Sequence, residues 1–107
     1  MFLYEFDAMR EVIDKAERMF GLLSEMECRE MTEEEWLQQF YDVATLYVEN
    51  EYALLGLEIY VEGDLEPFFT DAIKRFEEGE RWLFDLFVAM RDYKEAIVRT
   101  LLPYVYH

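Results

Sequence analysis

Between Arg29 and Lys74 the chain carries twelve carboxylates and no basic side chain: Glu30, Glu33, Glu34, Glu35, Asp42, Glu49, Glu51, Glu58, Glu62, Asp64, Glu66 and Asp71. Grouped carboxylates can hold a hard divalent cation, act as an acid–base pair on a glycosidic bond, or pair with the cations of a partner molecule. The spacing argues against the first two. A calcium loop needs alternating oxygen ligands around a glycine turn, and Glu62-Gly63-Asp64-Leu65-Glu66-Pro67 does not supply them. Di-metal bundles use a Glu-x-x-His motif, which the chain lacks. A glycosidase pair needs a cleft that a narrow helical bundle rarely provides. No metal and no cofactor is therefore expected.

Nucleophilic chemistry is no better served. Ser24 is the sole serine and His107, the final residue, the sole histidine, so no held base can activate a hydroxyl or thiol. There is no glycine-rich loop to cradle phosphate. The single cysteine, Cys28, cannot form an intramolecular disulfide; Arg29 beside it favours the thiolate, but its plain reading is an incidental loop thiol. The expected protein is not an enzyme.

The elements that position the acids follow from apolar spacing. Phe2, Phe6, Met9, Ile13, Ala16, Phe20 and Leu23 recur at alternating steps of four and three, which predicts a helix over 2–27. Glu11 with Lys15 and Asp14 with Arg18 should lace its surface. Thr32-Glu33-Glu34-Glu35 has the form of a capping box and opens a second helix, 33–61. Its seam is Trp36, Phe40, Val43, Tyr47, Leu54, Leu57 and Val61, interrupted at Asn50, with Leu37, Tyr41, Ala44, Val48, Leu55 and Ile59 widening the apolar face. Gly56 could instead end it. Gly63 suits a left-handed turn, Asp64 an N-cap and Pro67 a first helical turn, so a third helix is expected over 65–102, closed by Pro103. A break near Gly79 would make four helices of three. Asp71 with Lys74 and Arg75, Glu77 with Arg81, and Glu95 with Arg99 should lace this helix in turn. With short loops the prediction is a single domain, 1–107, all-α, an antiparallel bundle of three long helices.

Hydrophobic residues make up 53% of the 107 and aromatics 18%, enough for one core and unlike a disordered acidic tail. The opening MFLYEFDAMR has no basic n-region, and no apolar run reaches the roughly 18 residues of a membrane span, so a soluble, cytoplasmic chain is expected. Trp82 to Met90 is apolar but for Asp85, which suggests self-association through Trp82, Phe84 and Phe87, with a homodimer as the expected form.

The acids then need an account. The formal charge is −15, and the twelve acids of the base-free segment carry most of it. Glu35, Asp42 and Glu49 repeat every seven residues, giving a row at intervals of about 10.5 Å on a helix rising 1.5 Å per residue. Glu34, Glu51, Glu58 and Glu62 broaden the row, and Asp64 and Glu66 continue it past the turn. Tyr41, Tyr47, Tyr52 and Tyr60 lie in the same segment and could stack on arginine. Proteins that read nucleic acid carry Lys/Arg grooves that match its phosphates. A rigid acidic helix could occupy such a groove, which points to a basic protein partner, such as a nuclease, and against direct nucleic-acid binding. In character the chain resembles phage-type DNA-mimic inhibitors of restriction or CRISPR nucleases and acidic immunity proteins or antitoxins. Two other readings stand beside this one: a face that only keeps a greasy chain in solution, and a structural or adaptor protein assembling through its apolar seams.

Overall fold

The alternating apolar spacing of the first segment folds as α1, Leu3–Cys28, in a computed structural model that describes residues 3–105, with side chains from residue 5. Expectations placed on Phe2 and His107 lie outside the described residues. α1 buries more than one stripe: Met9, Val12, Ile13, Ala16, Met19, Leu23 and Met26 are all inside. The reason is its position, for it packs along both α2, Glu33–Gly56, and α4, Phe84–Val105. The shorter α3, Glu66–Glu77, packs on α4. Among the described residues there are four helices and no strand, forming an all-α bundle 48 × 22 × 18 Å in extent.

α2 starts where its capping box places it. Thr32 Oγ1 accepts from the Glu35 amide at 3.1 Å, and Glu35 Oε1 accepts from the Thr32 amide at 3.0 Å. Its end is earlier than the seam implies: the helix stops at Gly56, not near Val61. Glu58 takes a left-handed backbone, φ 57°, and the amides of Glu58 and Ile59 fold back onto the carbonyls of Leu55 and Leu54. This is a Schellman stop with glutamate where glycine is usual. Leu57 and Val61 stay on the core side without being helical, which is why the spacing hides the break.

The expected third helix is two. Gly79, φ 87°, ends α3 by the same pair of bonds, Gly79 to Phe76 and Glu80 to Arg75, so the break near Gly79 is the correct alternative. The N-cap of α3 is Leu65, not Asp64; Asp64 Oδ1 instead accepts from the Glu66 amide at 3.1 Å, one position off. Nor does Pro103 end α4, which runs to Val105. Its missing N–H leaves the Arg99 carbonyl short of one bond near the helix end, where both residues are exposed to water.

Between α2 and α3 the core is aromatic. Trp36 lies parallel to Phe76 at 4.3 Å and to Phe40 at 5.2 Å, and Phe69 meets the rings of Phe40 and Tyr47. Asn50, the gap in the seam, is fully buried and donates from Nδ2 to the Val12 carbonyl of α1 at 3.0 Å. None of the described helices is long and apolar enough to cross a membrane.

Candidate functional site

The nine acids singled out along α2 and the following turn do not form one uniform face. Glu35 pairs with Arg29 at 3.5 Å and Glu49 with Lys15 of α1 at 3.6 Å, so two of the three members of the heptad row have cations from outside their own helix. Asp42 accepts from Gln38 Nε2 at 3.1 Å. Glu51 is half-buried and receives two tyrosine hydroxyls, Tyr93 at 3.0 Å and Tyr47 at 3.4 Å. Tyr47 Oη in turn accepts from the Leu65 amide at 3.1 Å, tying the turn before α3 to α2. Six of the nine, Glu34, Asp42, Glu58, Glu62, Asp64 and Glu66, are exposed and have no cation within 4.0 Å among the described residues.

Protonation follows these contacts. The Thr32 amide, then its hydroxyl, hold the Glu35 carboxyl below its ordinary 4.5. Burial first, then the Glu51 charge, pushes the Tyr93 hydroxyl well above its ordinary 10.0; Tyr47 moves up as well, with burial again the main cause. Both tyrosines are therefore neutral donors to Glu51 at physiological pH.

The lacing expected elsewhere is thinner than the spacing suggests. Asp71 and Arg75 do pair, at 3.0 Å. Lys15 reaches across to Glu49 instead of Glu11, and Arg81 donates to the Met31 carbonyl instead of pairing with Glu77. No ion pair among the described residues joins Asp14 to Arg18 or Glu95 to Arg99.

What the charge pattern missed lies on the outward side of α2. Tyr41, Val48 and Leu55, expected to widen the core face, are exposed at 53%, 48% and 74%, and Tyr52 at 72%. With Thr45 they step along the chain by 4, 3, 4 and 3, which places them on one helical stripe facing away from the core. The signal was available in the sequence: this stripe lies roughly 100° or more around the helix from the Trp36–Phe40–Val43 seam, at 100° per residue, too far for one partner to cover both. At its C-terminal end Val48, Tyr52 and Leu55 join Glu51, Asp64 and Glu66 around a hollow of about 320 Å³. Asp64 also edges a larger cleft of about 550 Å³, between the 62–65 turn and α4, floored by Leu65, Phe68, Phe84 and Val88.

The proposed self-association residues separate. Phe87 is satisfied within the chain, its ring 5.0 Å from Phe20. Trp82 and Phe84 are exposed at 42% and 56%, with the Arg75 guanidinium 5.7 Å from the Trp82 ring. Among the described residues no three or more His, Cys, Asp or Glu side chains gather as a metal would need. Comparison with protein-family models, curated proteins and solved structures finds no match to this chain.

Proposed function

We propose that the chain is a non-enzymatic binding protein that docks the outward, acid-flanked face of α2 on a basic protein, with a nucleic-acid-handling protein as the class of partner and inhibition as the consequence. The observation that carries this reading is the exposed stripe Tyr41, Val48, Tyr52 and Leu55, lying beside carboxylates that have no cation of their own. A face that served solubility alone would gain nothing from exposing four large apolar side chains next to its charges. A partner that reads phosphates offers the matching cations, and exposed tyrosines offer its arginines a stacking surface.

The test is capture of host proteins on the immobilised chain at rising salt, beside the triple variant Asp42→Lys, Glu62→Lys, Glu66→Lys. All three positions are exposed, so the helical signal should stay unchanged. A specific partner should be held at low salt, released as salt screens the charges, and absent from the variant. Retention of the same partner by the variant would sink the acidic-face reading. Self-assembly through Trp82 and Phe84, both exposed and the latter lining the larger cleft, is the second reading, and their replacement by glutamine should then reduce the size of the chain in solution.

A further inference from the structure

We infer that the outward face of α2 is one half of a heterotypic helix pair whose other half is a basic amphipathic helix on the partner. This rests on the docking function proposed above and names what the partner must present. The stripe Tyr41, Thr45, Val48, Tyr52 and Leu55 has the alternating spacing of a coiled-coil seam, and over those residues a helix advances about 21 Å, some four turns. Such a seam on a folded chain is half of a knobs-into-holes contact. A flat or irregular basic surface would leave its regular holes unfilled.

The flanks decide which helix can fill it. On one side of the seam stand Asp42 and Glu49, the latter already paired with Lys15; on the other stands Glu51, which holds the Tyr47 and Tyr93 hydroxyls and is continued by the unpaired Asp64 and Glu66 around the hollow under Tyr52 and Leu55. Charge opposes a second copy of the chain in this place. In a parallel pair the two unlike flanks meet, and in an antiparallel pair like flanks meet, so acids face acids in either orientation. The occupant therefore carries lysine or arginine on both flanks of an apolar stripe. The hollow of about 320 Å³, apolar on the α2 side and carboxylate-rimmed on the other, fits an arginine or lysine whose stem lies on Val48 and Leu55 and whose head reaches Asp64 and Glu66.

The probe is a synthetic peptide of about three heptads with leucine along one seam and lysine on both flanks, which its own charge keeps from pairing with itself. The control has the same composition, shuffled so that leucine is scattered round the helix. Binding is read by fluorescence anisotropy on the full chain and on the variant Tyr52→Gln, Leu55→Gln, which removes two exposed side chains and keeps good helix formers in place. The patterned peptide should bind roughly tenfold or more tightly than the shuffled one, and the variant should lose a similar factor, as burial of one or two large side chains implies. Equal binding of the two peptides would overturn the helix pair and leave the acidic-face reading standing, because charge alone would then be the attraction. Undiminished binding of the patterned peptide to the variant places it elsewhere and overturns the inference too. So would a homodimer of the native chain that the same variant dissolves.

Discussion

The two longest helices, α1 with 26 residues and α2 with 24, are nearly equal in length and differ in what covers them. α1 lies between α2 and α4, and every exposed position described on it is charged, a glycine or Cys28. α2 has α1 on one side and the rings of α3 on another, yet its remaining side displays two tyrosines, a valine and a leucine. Four large apolar side chains share this one stripe of α2, with the unpaired acids Glu34 and Asp42 on the same helix and Asp64 and Glu66 past its C-terminal end. Where the described exposed positions of α1 are charged or small, α2 exposes four large apolar side chains.

If the inward and outward faces of α2 differ as described, their substitutions should differ most of all. Trp36 is buried between Phe40 and Phe76, so Trp36→Ala should cost about 3–5 kcal/mol of stability in chemical denaturation, enough to unfold much of the population. Leu55→Gln on the outward face should change stability by less than about 0.5 kcal/mol. Similar costs at the two positions would mean that Leu55 is covered by this chain itself, and the contrast on which the docking face rests would be lost.

A middle-sized effect is expected at the two Schellman stops, which use the same hydrogen bonds with different residues. Gly79 adopts its left-handed backbone freely, whereas Glu58 does so against its Cβ and places a negative charge at the negative end of a helix. Glu58→Gly should stabilise the fold by about 0.5–1 kcal/mol, read as a rise in melting temperature, and Gly79→Ala should destabilise it by a similar amount. A loss of stability in Glu58→Gly would show that the glutamate side chain holds the turn by some contact beyond its backbone.

These stops also mark where the sequence was legible and where it was not. The beginning of α2 could be read because a capping box is a local pattern of named residue types, Thr32 and Glu35. The buried seam could be read because Trp36, Phe40, Val43, Tyr47 and Leu54 all face one way, and Asn50 broke it for a reason that only the Val12 carbonyl across the helix pair supplies. The end of α2 was hidden because glutamate at a left-handed position has no signature, and Leu57 and Val61 continue the apolar spacing through the turn. The acids were legible as a set, but not their sorting: Lys15 and Arg29 approach from outside α2, and Tyr93 reaches Glu51 from a helix 42 residues away in sequence. The outward stripe did not stand out as a separate face because its apolar spacing runs beside that of the inward seam, and it is the packing of α1 and α3 that shows which part of the circumference is buried.

The smallest effect lies at the N-terminus of α2, where an acid of the expected docking row also has a structural duty. The folded state holds Glu35 ionised below its ordinary 4.5, through the Thr32 amide and hydroxyl, so the unfolded chain takes up the proton first as pH falls. The contribution of Glu35 to stability is thus complete above about 4.5 and is lost as pH drops through the lowered folded value. Glu35→Gln keeps a side-chain acceptor for the Thr32 amide and has no proton to gain, so the stability difference between native chain and variant should be greatest near neutral pH and narrow below that point. Denaturation midpoints measured across that acid range read it directly. A gap that stayed constant with pH would show that the Glu35 charge contributes nothing to the cap, leaving it as free for a partner as Asp42.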